Sequence, residues 1–230
     1  MIAADTPALK EEVYRLRYNV YCLETGFETA ESFPDGLEQD EYDAFSAHYL
    51  IQHRKTGLYA ATTRLILPDK SNLHRPFPIE RHSRIERKDL LHAIPRSRLA
   101  EASRFCISKD FKRRAGEAGT TAGIPHEAGD YKFSENERRT IPYLTLALFA
   151  CLVNMSVQHG ITHWYAIMEP ALVRVFTRLG INFMPIGPVA DYHGRREPCV
   201  ITLQCLLDGV KAKGQQEWEL LTDSGRFWKA

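Results

Sequence analysis

Residues 141–157, IPYLTLALFACLVNMSV, run without a single Asp, Glu, Lys or Arg, and this stretch constrains the fold most. An apolar helix of that kind either crosses a membrane or sits at the centre of a core. It is short for a span and carries Asn154 with the hydroxyl residues Thr145 and Ser156, which favours the core. Thr140 is placed to cap its start, Pro142 lies in the first turn, and Gly160 closes the pattern. The reading is therefore a buried core helix, with no transmembrane segment.

The runs around it read as a sheet with helices. Residues 7–22 repeat Leu9, Val13, Leu16 and Val20 at helical spacing. SAHYLIQHR and LYAATTRLIL are strand-like, and Lys55-Thr56-Gly57 between them signals a hairpin. LAEASRFCIS (99–108) and ITHWYAIM read as further strands, as do INFMPIGP and EPCVITLQCLL, while PALVRVFTRLG reads as a short helix. Three excursions interrupt this order: 23–45, rich in acids; 68–98, polar and proline-bearing with one short helix; and 109–139, with four glycines. The expectation is one α/β (α+β) domain spanning 1–230 around a single sheet, with the last excursion partly mobile.

Charge narrows the function classes. Thirty basic and 29 acidic residues leave a net charge of +1, which does not suit a general nucleic-acid binder. Five cysteines lie scattered without CxxC spacing, a pattern of a reducing cytoplasm rather than of a disulfide framework or a metal site. The N-terminus lacks the basic start and apolar run of a secretory signal.

Several charges stand where the pattern predicts burial: Arg17 in the first helix, Asp40 and Asp43 before the first strand, Arg64 inside ATTRLIL, and Glu101 with Arg104 inside 99–108. Burying any of them alone is costly, so each needs a partner or a functional reason. Taken singly, a structural ion pair or a turn cap explains each. Together they flank one run of strands. In a regular strand Glu101 and Arg104, three residues apart, point to opposite faces.

The order Arg17-x-x-x-Tyr21, Asp40-x-x-Asp43, Arg64-Leu65 and Glu101-x-Ser103-Arg104-Phe105 resembles the signature of acyl-homoserine-lactone synthases. Those enzymes and the similar N-acyl amino acid synthases belong to the GNAT acyltransferase superfamily. With the ending MEPALVRVFTRLGINFMPIGP, the resemblance is strongest to acyltransferases associated with PEP-CTERM/exosortase systems, over roughly residues 11–207. It implies a GNAT-like fold: a central mixed, mostly antiparallel sheet flanked by helices, with a V-shaped splay that admits an acyl thioester. It also implies a bulge in strand 99–108. A bulge re-aims side chains, so Glu101 and Arg104 need not face apart.

The implied reaction is transfer of a long fatty acyl chain from an acyl carrier protein or coenzyme A thioester to the amine of an amino acid or similar small molecule. No permanently bound cofactor or metal is expected. The ammonium must lose a proton before it attacks, and Glu101 is the first candidate base, with Asp43 second. Arg104 and Arg64 would order the carboxylates and the acidic loop. Arg17 and Asp40 would hold the first helix and that loop over the cleft. Backbone N–H groups at Phe105 or Cys106 would hold the thioester oxygen. Lys109, Lys112, Arg113, Arg114 and Gly116 would receive the phosphopantetheine phosphate or an acidic carrier protein. Leu144, Leu148, Phe149, Leu152 and Met155 would line the acyl chain.

The lactone synthases carry a Trp after their first helix for S-adenosyl-methionine. Phe27 and Phe33 stand nearest here, which favours a different amine and leaves the lactone synthase as the alternative. Two readings from other classes remain: a thioester hydrolase with Cys106 as nucleophile and His48 or His163 as its base, and a non-catalytic acyl-carrier-binding module.

Overall fold

The computed structural model describes residues 1–111, 143–191 and 194–228. Helix α1 (Pro7–Tyr18) starts where Thr6 Oγ1 accepts the Leu9 N–H, with Pro7 in its first turn. It buries Val13, Leu16 and Arg17, and runs on into a π-helical turn, Asn19–Glu24. Strands β2 (Ser46–Gln52) and β3 (Tyr59–Ile66) form the expected hairpin, whose turn places Gly57 at φ +72°. A short strand β1 (Ile2–Ala3), too brief for sequence periodicity to reveal, pairs antiparallel with β2.

The excursion 68–98 holds two five-residue helices, α2 (Pro78–His82) and α3 (Lys88–His92), where one was expected. Strand β4 (Leu99–Ile107) follows. Helix α4 (Leu144–His159) buries Leu146, Leu148, Phe149 and Cys151 through Met155 except the half-buried Asn154, as its apolar sequence demands. Gly160 ends it at φ +68°. Thr140 and Pro142 lie outside the described residues. Then come β5 (His163–Met168), α5 (Pro170–Arg178), β6 (Met184–Pro185), β7 (Ala190–Asp191) and β8 (Arg195–Thr202).

Two expectations for the end of the chain need correcting. INFMPIGP yields only the two residues of β6. The apolar run EPCVITLQCLL is a strand only to Thr202, whose hydroxyl then accepts the Cys205 N–H and caps α6 (Leu203–Lys213). Leu203, Leu206, Leu207 and Val210 are buried at helical spacing, a period masked by the strand residues before it. Helix α7 (Gln215–Thr222) follows, unforeseen.

Among the described residues the strands follow the order β1-β2-β3-β4-β5-β8-β6, with β7 on β8. The β4–β5 pair is parallel; β5–β8, β6–β8 and β7–β8 are antiparallel. This is an α/β fold around an open, mostly antiparallel sheet. The chain divides into two compact units: residues 1–41, 47–64 and 104–151, and residues 42–46, 65–103 and 152–230. In the first, Ala4, Val13, Leu16, Val20, Leu50 and Cys106 form an apolar cluster. In the second, Tyr42, Ile66, Phe77, Ile79, Leu99, Tyr165, Ile186 and Val200 do so.

Candidate active site

In the first unit, arginines from three elements converge on the acidic loop. Arg17 of α1 and Glu38 are both fully buried, with Nε 2.5 Å from Oε2. Arg104 of β4 donates to the same carboxylate at 2.8 Å, and its guanidinium lies 3.3 Å from Glu28 and 3.6 Å from Asp40. It also sits over the Tyr21 ring. Arg64 of β3 donates to Asp40 at 2.6 Å. Burial alone would raise the Glu38 pKa, but Arg17 and Arg104 outweigh it and hold the group down at about 2. Burial would lower the Arg104 pKa, but Glu38 first, with Tyr21 and Asp40, raises it.

Arg104 adopts φ +49°, a left-handed conformation uncommon for a residue with a side chain. That φ departs from regular strand geometry inside β4.

The second unit holds Glu101 and Asp43, 3% and 4% exposed. Asp43 opens a 3-10 turn, Asp43–Phe45, before β2. Glu101 Oε2 accepts the N–H of Ile79 at 2.9 Å, at the start of α2. Across the ladder Glu101 faces Tyr165, the last rung of a register that runs Leu99↔His163, Ala100↔Trp164, Glu101↔Tyr165. Both strands continue beyond it, β4 to Ile107 and β5 to Met168. Burial first, and then the Glu80 carboxylate, raise the Tyr165 pKa.

The remaining candidates are placed as follows. Phe27 packs its ring against Tyr21 at 5.6 Å, and the half-buried Phe33 ends a 3-10 turn. Phe105 contacts Phe149 with ring centroids 5.2 Å apart. Leu148, Phe149, Leu152 and Met155 are buried, while Leu144 is half-buried. The Lys109 N–H donates to Glu24 Oε2 at 2.9 Å. Lys112, Arg113, Arg114 and Gly116 lie outside the described residues. The Cys106 thiol sits in the first unit's apolar cluster, a setting typical of unreactive thiols. In that unit His48 is buried with its ring edge-on to Tyr14 at 6.0 Å; His163, in the other, contacts Thr162 Oγ1, and burial lowers its pKa. Among the described residues, no group of three or more His, Cys, Asp or Glu is placed to hold a metal.

Glu38 and Glu28 escaped the sequence reading. Two buried arginines and the half-buried Arg104 demanded anions, but residues 23–45 offer eight acids and no periodicity to rank them.

These features fit the comparisons with known proteins. Residues 16–121 match the acetyltransferase (GNAT) domain family. Over that stretch the chain is similar to a GNAT acetyltransferase domain, and its fold is GNAT-like. Solved structures with this fold include BjaI, a CoA-dependent acyl-homoserine lactone synthase with SAM and isopentyl-CoA, at 21% identity and TM-score 0.57, covering 98% of this chain and 87% of BjaI. The AHL synthase LasI matches at 21% identity and TM-score 0.57, covering 89% and 90%. FeeM, an N-acyl amino acid synthase from uncultured soil microbes, matches at 13% identity and TM-score 0.58, covering 90% and 92%. No curated protein matches the sequence. No helix among the described residues is long and apolar enough to cross a membrane.

Proposed function

We propose that this GNAT-type acyltransferase moves a long fatty acyl chain from an acyl carrier protein or coenzyme A thioester to the amine of an amino acid or similar small molecule. The observation that carries the reading is Glu101: a buried carboxylate on β4, held by a backbone N–H, three residues before the left-handed Arg104. Glu101, or Asp43 in its place, takes a proton from the ammonium. The freed amine attacks the thioester carbon, the new C–N bond forms and the C–S bond breaks. The departing thiolate takes up the second proton that the nitrogen sheds on becoming an amide, and the base releases the first to solvent, so charge and atoms balance. Phe105 and Cys106 supply backbone N–H groups for the carbonyl oxygen. The Phe105–Phe149 contact supports assigning these rings to the acyl chain, and Phe27 and Phe33 are assigned to the acceptor. Lys109, Lys112, Arg113, Arg114 and Gly116 receive the donor's phosphate or its carrier.

The free state of all five cysteines agrees with a reducing cytoplasm. The motif order and the MEPALVRVFTRLGINFMPIGP ending support an association with PEP-CTERM/exosortase systems.

The test incubates the protein with long-chain acyl carrier protein or acyl-CoA, a panel of amino acids and S-adenosyl-methionine, with products read by mass spectrometry. An N-acyl amino acid is expected. A lactone product would instead assign the protein to the synthases that use S-adenosyl-methionine, and free acid without N-acyl product would sink the transferase reading in favour of hydrolysis. Glu101→Gln is expected to lower turnover by about a hundredfold or more, the usual range for a lost general base. Cys106→Ser is expected to retain it.

A further inference from the structure

One charged cluster in the second unit takes no part in that reaction scheme. Arg96, in the 3-10 turn before β4, forks onto Glu80: Nη2 lies 2.6 Å from Oε2, and Nη1 reaches Oε1. The same guanidinium donates to the carbonyls of Leu73 at 3.1 Å and Arg75 at 2.8 Å, and lies 4.4 Å over the Phe77 ring. Glu80 in turn accepts the Phe77 N–H at 2.9 Å and hydrogen-bonds the Tyr165 hydroxyl. Phe77 meets Tyr165 edge-on at 6.0 Å. Apart from the bonds to the Leu73 and Arg75 carbonyls, these contacts engage Phe77 or Glu80, the two ends of the turn Phe77–Glu80. The Ile79 N–H of that turn donates to Glu101.

A five-residue helix has little stability of its own, so outside contacts must fix the direction of its first amides. The Ile79 side chain, fully buried in the apolar cluster, anchors the turn but does not set its rotation. A bidentate Arg–carboxylate pair supplies that missing restraint, because its planar fork fixes orientation as well as distance. We propose that Arg96 and Glu80 are positioning residues that aim the Ile79 N–H at Glu101 and so fix the carboxylate in the geometry from which it takes the substrate's proton. This rests on the reading of Glu101 as the base.

Two measurements on the full chain separate the two ideas. The first is hydrogen exchange at the Ile79 amide, which needs no substrate. Arg96→Ala and Glu80→Gln are expected to speed exchange there while β5 and β8 amides keep their wild-type rates; an unchanged Ile79 rate overturns the proposal. The second is N-acyl product formed from long-chain acyl carrier protein and a complete amino-acid mixture. Arg96→Ala is expected to lower kcat about tenfold with little change in KM, the scale of a slightly misplaced catalytic group. In a Glu101→Gln background the same change is expected to cost nothing further. An equal loss in both backgrounds overturns the proposal. If wild-type protein makes no product, the base reading fails by itself, and exchange alone decides whether Arg96 and Glu80 position the amide. Should Arg96→Ala not fold, Arg96→Lys keeps a charge on Glu80 but loses the fork, and is expected to fall between wild type and Glu80→Gln in both measurements.

Discussion

Glu38 shows what a single buried side chain can decide. It is fully buried between two guanidinium groups, so Glu38→Gln leaves both cations with a neutral partner. Removing one member of a buried pair typically costs about 3–5 kcal/mol, and a loss of that order is expected in denaturant melts near neutral pH. The pH dependence has a definite sign. Folding lowers the Glu38 pKa from 4.5 to about 2, so its contribution is present above the usual carboxylate range and is lost as pH falls through that window. Wild-type stability is therefore expected to drop between pH 4.5 and 2 more steeply than that of Glu38→Gln. An equally steep drop in both would show that other carboxylates govern acid unfolding. The buried arginines were legible in the sequence because each interrupts an apolar pattern. Glu38 was not, since a loop has no period to mark which of its acids turns inward.

At the level of elements, β4 carries the argument. Its nine residues were read correctly as a strand to within one position, and a bulge was anticipated from family resemblance rather than from the residues themselves. The structure locates the break at Arg104, at φ +49°. In an ordinary strand Ala outperforms Gly, because Gly loses more freedom on folding. At a left-handed position the order reverses. Both Arg104→Ala and Arg104→Gly forfeit the pairs to Glu38 and Glu28, but the Gly variant is expected to be more stable by about 1 kcal/mol. Paired thermal melts check this, and an Ala variant as stable as Gly would mean that the backbone relaxes once the arginine is gone. The β8–α6 junction was misread for the opposite reason. VITLQCLL is mostly apolar, so its change from strand to helix at Thr202 is marked by one hydroxyl cap that composition conceals.

For the whole molecule, thiol chemistry gives a measurement that spans both compact units. Cys22, Cys106, Cys151 and Cys199 are buried and Cys205 is exposed, all unpaired. Burial pushes the Cys151 and Cys199 thiols up to about 12, so neither offers thiolate at neutral pH. A thiol reagent is expected to modify Cys205 quickly in the native protein and the other four only on unfolding. Rapid modification of Cys106 without unfolding would revive the covalent hydrolase. The arrangement of the acidic loop carries a different consequence. Surface loops commonly gain or lose residues at little cost. Here Glu28, Glu38 and Asp40 meet arginines fixed on a helix and two strands, so the distance along the chain between these acids is itself part of the structure. Inserting a residue between Gly36 and Glu38 is expected to do more damage than inserting several beyond Gln52, for the loop behaves less like a tether than like a ruler.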